Sequence, residues 1–286
     1  MTNLTLQAPR KVQLRHRMKN SWIHILLILV AIVLVGPFIW MFLTSIKTYE
    51  ETITVPIVWF PEQIQWVNYE IVNDKFPFLR LYLNTILVVI ATVFTQLAMS
   101  SLAAYAFARL RFPGKNILFL FMLSLLMVPG QIFLIPQYQI IVGLNLTDTL
   151  TALVLPNMFS VFGVFLLRQF FAAIPQELED AARIDGCGNF RIYWQIMMPL
   201  VTPGLVAMGI LTMIGAWKEL LWPLIVNQSI DKMTLSAGLA NLIGEHTTYH
   251  EQVMAGAVIS VLPMIIVFAF FQRKFVESIA QTGIKG

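Results

Sequence analysis

The 286-residue sequence is short of cysteine, of charge and of catalytic motifs. Its one cysteine, Cys187, excludes an internal disulfide. Only 12% of residues are charged, against about a quarter in an ordinary soluble domain. No GxxxxGK[ST] phosphate loop, no HExxH helix and no Cys/His cluster occurs. Nor is there a repeat of solenoid period or a low-complexity tract. A self-contained nucleotide hydrolase, a zinc site and a disulfide scaffold are therefore excluded, and no metal site is expected. What fills the chain is apolar: 58% of residues are hydrophobic and the mean hydropathy is strongly positive. The sequence is that of an all-α integral membrane protein.

Six stretches reach the roughly 20 mostly apolar residues that a membrane span needs: 23–46, 82–108, 116–141, 150–171, 201–227 and 253–272. Between them lie connections at 47–81, 109–115, 142–149, 172–200 and 228–252. The basic start (Arg10, Lys11, Arg15, Arg17, Lys19) could mimic a signal peptide. The following apolar run is too long for one and has no small-residue cleavage site, so it is read as a retained first helix. With the N-terminus inside, the inner segments also hold Arg109, Arg111, Lys115, Arg168, Arg183, Arg191, Arg273, Lys274 and Lys285. The outer ones hold only Lys47, Lys75, Arg80 and Lys232. That asymmetry predicts cytoplasmic termini and a cytoplasmic 172–200 segment in a multi-pass protein. The expected layout is a cytoplasmic segment 1–22, a transmembrane domain 23–272 and a cytoplasmic tail 273–286. The first outer loop is acidic, with Glu50, Glu51, Glu62, Glu70 and Asp74.

Prolines interrupt the spans: Pro129 and Pro136 (with Gly130) in the third, Pro156 in the fourth, Pro203 and Pro223 in the fifth, Pro263 in the sixth. Each removes an intrahelical hydrogen bond, which suits broken helices lining a cavity. Proline is also simply commoner in membrane helices. Ser100, Ser101, Ala103, Ala104, Ala106 and Ala108 give the second span a small-residue face for close packing.

The segment ELEDAARIDGCGNFRIYWQIMMPL is polar amid lipid-seeking sequence. Pro175 suits the first position of a helix, and Glu177, Glu179 and Asp180 place negative charge near its positive end. Leu178, Ala181 and Ala182 share one small face, and Gly186 suits a left-handed cap, which predicts a helix over 176–185. Asn189 suits the N-cap of a second helix, with Phe190, Tyr193, Trp194, Met197 and Met198 on one apolar face and Pro199 as its stop. Spacing alone leaves two readings open: a helix shaped to be gripped by a partner, or an amphipathic hairpin resting on headgroups.

DAARIDG, nine residues, then IMMP (Asp180 to Pro199) resembles the EAA signature of binding-protein-dependent ABC importer permeases. Ala181, Ala182, Gly186, Ile196 and Pro199 match at the right spacing, while Asp180 stands for Glu and Met198 for Leu. IPQELEDAARIDG, GAWKELLWPLI (Gly215 to Ile225) and the tail FQRKFVESIAQTGIKG resemble the sugar-importer, maltose-permease type, in its smaller permease subunit. The resemblance implies the type I ABC importer fold in a bacterial-type plasma (inner) membrane, with six transmembrane helices. Its implied partners are cytoplasmic ABC ATPase subunits, a second homologous permease, an extracytoplasmic substrate-binding protein, a sugar and the lipid bilayer, with no nucleic acid. It implies no catalytic residue and no cofactor on this chain, ATP and Mg binding the partner ATPase. The coupling residues it implies are Glu179, Asp180, Ala181, Ala182, Arg183, Gly186, Ile196 and Pro199. Asp180 would accept a hydrogen bond from the ATPase, and the tail would also reach it.

Lys218 and Glu219 lie inside the fifth span between Trp217 and Trp222. Ionisable groups there line a cavity or pair with something. Family members often carry Trp-Asn-Glu at this place, so Lys218 is a departure. Two readings stand: a substrate pathway of Trp217, Lys218, Glu219 and Trp222, or a structural contact. An ion-coupled secondary transporter using Lys218 and Glu219 is the alternative function, and it leaves the 180–199 signature unexplained. A membrane-embedded hydrolase would need a pair of embedded catalytic groups that the sequence does not offer. Glu245, His246, His250 and Glu251 could in principle hold a metal, but the favoured reading is a solvated outer loop that touches the binding protein. Cys187 reads as a small filler.

Overall fold

The computed structural model describes residues 10–243 and 248–283, with side chains from Trp22 to Ile243 and from Thr248 to Phe270, Val267 excepted. Glu245, His246, Lys285 and residues 1–9 lie outside it, as do the side chains of Lys11, Arg15, Arg17, Lys19, Arg273 and Lys274. The described residues form helices joined by turns, without a strand. The helices are α1 Arg10–Ser45, α2 Tyr49–Ile53, α3 Val67–Lys75, α4 Phe78–Arg109, α5 Lys115–Ser124, α6 Leu134–Gly143 and α7 Leu150–Val154. They continue with α8 Val161–Ala172, α9 Gln176–Ile184, α10 Asn189–Ile192, α11 Met198–Leu200, α12 Thr202–Lys218, α13 Leu221–Val226, α14 Leu235–Ala240 and α15 His250–Gly283.

Among the described residues, three helical stretches are long and apolar enough to cross a membrane: Trp22–Ser45, Phe78–Arg109 and His250–Phe270. Three bent pairs pass the same test together: Lys115–Met127 with Gly130–Gly143 (97°), Leu150–Asn157 with Val161–Ala172 (49°), and Asn189–Leu200 with Thr202–Lys218 (78°). The first bend falls at Pro129 and the second just after Pro156, as expected where a ring displaces a hydrogen bond. The fifth expected span, 201–227, breaks elsewhere. Pro203 sits in the first turn of α12 and Pro223 inside α13, while the helix opens at Glu219 and Leu220. A first-turn proline costs nothing because its N–H would be unpaired anyway.

The chain divides into two compact units, residues 1–72 with 246–259, and 73–245 with 260–286. In the first, the connection after α1 is folded rather than loose. Thr48 and Glu51 form a reciprocal capping box at α2. Lys47 is buried: its ammonium donates to the Val58 carbonyl and lies 4.3 Å from the centre of the Trp40 ring. Burial pushes the Lys47 ammonium below its usual range, against the pull of Glu51. Asn68 donates to the Ser45 and Lys47 carbonyls at 3.0 and 2.9 Å. Glu251, expected on a solvated loop, is instead buried beside Gln252 at the start of α15.

The second unit is built on α4, whose 32 residues make a rod of about 48 Å. Its small face does what small faces do in lipid, letting helices approach where apolar burial gives no driving force between them. Ser100, Ser101 and Ala104 are buried, and α4 packs along α8 and α12. Gly163 on α8 sits so close to Met208 and Ser100 that a Cβ would lie 2.1 Å from Met208 Cε. Gly204 on α12 likewise faces the Phe170 ring at 2.6 Å. Two cores result. One gathers Ala104, Tyr105, Leu167, Phe171, Tyr193 and Met197 under α9, and the other gathers Val88, Ile141, Leu153, Trp222 and Val226.

Candidate functional site

Helix α9 lies outside all the candidate spans. Pro175 occupies the cap rather than the first helical position, so the helix starts at Gln176, with Glu177 and Glu179 in its first turn and Arg183 in its last. Its end is a Schellman motif: Cys187 N–H donates to the Ala182 carbonyl at 2.9 Å and Gly186 N–H to Arg183 at 3.1 Å. Gly186 has φ +79°, the left-handed geometry that glycine adopts without strain. Only Glu179 and Ala182 are buried; Leu178, Asp180, Ala181 and Ile184 are exposed, Ile184 at 86%. Of the residues expected at the coupling contact, then, Asp180, Ala181, Arg183 and Gly186 face outward, and Glu179 and Ala182 face the body of the same unit.

What Glu179 meets was not foreseeable from local sequence. Its Oε1 accepts a 2.8 Å hydrogen bond from Arg183 one turn on, and its Oε2 lies 4.0 Å from Nε of Arg109, the last residue of α4. The hydrogen bond from Arg183 to Glu179 holds the Arg183 guanidinium above its already high range. Arg183 also donates to Asn189 Oδ1 at 3.1 Å, so Asn189 serves as an acceptor for α9 while Gly188 takes the cap of α10. The Arg109 guanidinium donates to the Phe171 carbonyl at 2.5 Å and to the Ile174 carbonyl, at the end of α8. Nearby carbonyls at the end of α4 are served by Lys115 (Ala108 and Leu110) and by Arg168 (Phe107). Cations at a helix C-terminus satisfy orphan carbonyls and oppose the negative dipole end.

The second helix of the segment departs from its expected face. Residues Tyr193–Met197 form a π-helical turn between α10 and α11. The wider turn changes the angular spacing, so Ile192, Tyr193 and Met197 are buried while Phe190 and Trp194 are exposed at 73% and 61%. The Tyr193 hydroxyl and the Ser101 hydroxyl are 2.8 Å apart, joining this turn to α4. Ile196 is half-buried against the core and Pro199 is exposed; the helix ends at Leu200.

A cavity of about 270 Å³ opens at the break between α12 and α13. Lys218, Glu219 and Trp222 line it; Trp217 does not, and its carbonyl accepts from the Ser236 hydroxyl at 3.0 Å. Glu219 Oε1 accepts from the Trp222 N–H at 3.2 Å and so caps the restarted helix. The Trp222 indole donates to the Ala152 carbonyl at 2.9 Å. Lys218 and Glu219 make no ion pair with each other among the described residues; Lys218 ends α12 and Glu219 is already extended at its cap. The sequence did not single out other polar lining residues: Gln96, which donates to the Asn157 carbonyl and accepts from Thr212, and Thr92 and Thr234, whose buried hydroxyls have no hydrogen-bond partner among the described residues. The polar positions on an otherwise apolar α4 were the available signal. Among the described residues no three His, Cys, Asp or Glu side chains are grouped to hold a metal.

Residues 96–281 match the model of a protein family described as the binding-protein-dependent transport system inner membrane component. The chain is 40% identical over 203 residues to the arabinooligosaccharides transport system permease protein AraQ of Halalkalibacterium halodurans, which covers 71% of this chain and 73% of that one. It is 32% identical over 267 residues to the sn-glycerol-3-phosphate transport system permease protein UgpE of Yersinia pestis bv. Antiqua, covering 91% and 95%. Its backbone matches, with a TM-score of 0.78 and 24% identity, a chain in the crystal structure of a bacterial ABC transporter involved in the import of the acidic polysaccharide alginate, covering 95% of this chain and 100% of that one.

Proposed function

We propose a function from one premise: the chain belongs to the family of binding-protein-dependent transport system inner membrane components. It is a permease subunit of an ABC importer that takes up a sugar or oligosaccharide, as the names of its AraQ relatives suggest. The three continuous helices and three bent pairs act as six spans, with both termini in the cytoplasm of a bacterial-type cell. A second, homologous permease completes the pathway, an extracytoplasmic binding protein delivers the sugar, and separate ATPase subunits bind ATP and Mg and hydrolyse the nucleotide.

The observation that carries this reading is α9: a short helix outside the spans, with Asp180 and Ala181 exposed and its end fixed by Gly186. Exposed small residues admit a close groove, and the exposed Asp180 carboxylate can accept a charge-assisted hydrogen bond. Closure of an ATPase dimer would move α9 as a rigid unit. The membrane helices, packed as discrete arrangements, would then switch between inward-open and outward-open states. The cavity at the α12–α13 break offers polar groups to a passing sugar: the Thr92 and Thr234 hydroxyls, Gln96 and Lys218.

Reconstitution of this chain with its partner permease, ATPase and binding protein into proteoliposomes tests the reading. Sugar uptake is expected only with ATP on the ATPase side. Uptake driven by an ion gradient without ATP would replace this reading with the secondary transporter built on Lys218 and Glu219.

A further inference from the structure

We infer that Arg109 is the positioning residue that couples α9 to the membrane helices; this rests on the proposed role of α9 and adds the element through which its motion passes. Of the nine residues of α9, the methyl of Ala182 and the carboxylate of Glu179 are the buried attachments. The methyl supplies contact without direction. The carboxylate supplies direction, because its partners are fixed: Arg183 within α9, and Arg109 at the end of α4.

The Arg109 side chain is only 9% exposed, and that of Glu179 5%. A charge so far from water is held only with partners around it. Arg109 has three, on two sides: one terminal nitrogen donates to the Phe171 and Ile174 carbonyls at the end of α8, and Nε faces the Glu179 carboxylate on α9 at 4.0 Å, an ion-pair contact in which Nε makes no hydrogen bond among the described residues. A planar guanidinium can hold the carbonyls with one edge and turn another toward the carboxylate; an ammonium cannot. One turn back on α4, the buried Tyr105 packs edge-on against Phe171 at 5.7 Å and against Tyr193 at 5.3 Å. The end of α4 is therefore packed against α8 and against the helix after α9. A displacement of α9 is resisted by an ion pair anchored in two membrane helices, instead of being absorbed by the turn at Ile174 and Pro175.

The test uses the complete importer in lipid nanodiscs and proteoliposomes, with Arg109→Met, Arg109→Lys, Glu179→Gln and the double variant Arg109→Met/Glu179→Gln. Sugar imported per ATP hydrolysed is expected to fall at least tenfold in Arg109→Met, with the complex still assembled and its melting temperature lowered, because a buried carboxylate and two carbonyls lose a partner. Arg109→Lys and Glu179→Gln should fall less, and the double variant should be no worse than Arg109→Met. Hydrogen–deuterium exchange across 176–186 should rise severalfold in Arg109→Met while exchange in α4 stays as in the wild type. An unchanged import-to-hydrolysis ratio, unchanged exchange in α9, or additive effects in the double variant would each overturn the inference. If Arg109→Met does not assemble, Arg109→Lys and Glu179→Gln decide on the same readouts, and wild-type values in both overturn it. If the wild type itself shows no ATP-dependent uptake, the functional reading fails, and the exchange measurement still decides the role of Arg109.

Discussion

The core under α9 and the core around Trp222 lie in the same unit and share α4, yet they are held by different chemistry. Under α9 most ties involve a charged group: Arg109 and Arg183 face Glu179, and Lys115 and Arg168 serve the last carbonyls of α4, beside one neutral bond between Tyr193 and Ser101. Around Trp222 and the turns that follow, most ties are neutral and run from side chain to backbone. Trp222 donates to Ala152, Asn84 to the Asp231 and Met233 carbonyls, and the Leu235 N–H donates to Thr85. The carboxylates there stay near the surface: Glu219 accepts from the Trp222 N–H, Asp148 from the Gln228 and Ser229 N–H groups, and Asp231 pairs with Arg80 at 2.7 Å. On the proposed function, the difference matches two tasks. A buried ion pair fixes direction, which suits an element that must be pushed; neutral bonds and unpartnered hydroxyls suit a wall that a polar passenger must slide past.

The largest effect is expected at the α9 end. Gly186→Val meets no neighbour, since a Cβ there has open space, but it forces a β-branched residue to φ +79°. That strain, on the order of 1–3 kcal/mol, should unwind the cap and reduce ATP-driven import about tenfold or more in proteoliposomes. Next comes a steric test at the other end. A Cβ on Gly238 would lie 2.6 Å from Leu81 Cδ1, so Gly238→Val should push α14 off α4. Overpacking of this kind costs about 1–3 kcal/mol and should appear as a lower melting temperature with sugar-per-ATP coupling intact.

A third prediction concerns pH. Hydrogen bonds from the Ser229 hydroxyl and N–H, with that of Gln228, hold the Asp148 carboxyl below its ordinary value of 3.8. A depressed carboxylate contributes stability above its unfolded value and loses it as pH falls through the lower folded value. Exchange at the Gln228 and Ser229 amides should therefore stay slow until pH drops below the ordinary carboxylate range, and Asp148→Asn should remove that pH dependence. The smallest effect is expected for Lys218→Asn. It should shift the KM for uptake about two- to fivefold, the size of one net hydrogen bond, without changing basal ATP hydrolysis. An equal or larger effect on coupling than that of Gly186→Val would erase the contrast between the two ends.

Much of the α9 region could be read from sequence because its rules are local. Glu177 and Glu179 at the start, Gly186 at the stop and Pro199 near the next break are all set by backbone chemistry within a turn. The six apolar stretches could be read too, since composition over 20 residues decides them. What could not be read depends on partners far along the chain. Arg109 and Glu179 are seventy positions apart, and no local pattern joins them. The π turn at 193–197 leaves Phe190 and Trp194 on a different face from Tyr193 and Met197, and the Tyr193 contact with Ser101 that accompanies it is tertiary. The opening at Glu219 was misplaced for the opposite reason, because prolines are conspicuous in sequence yet harmless in a first turn.

The most direct test of the account places a photo-crosslinking residue at Asp180, on the exposed face of α9, in the assembled importer. The account predicts one covalent adduct, with the cytoplasmic ATPase subunit, formed in an otherwise intact complex. Adducts with lipid alone, from a complex in which the ATPase is bound, would place α9 on the membrane surface and contradict it.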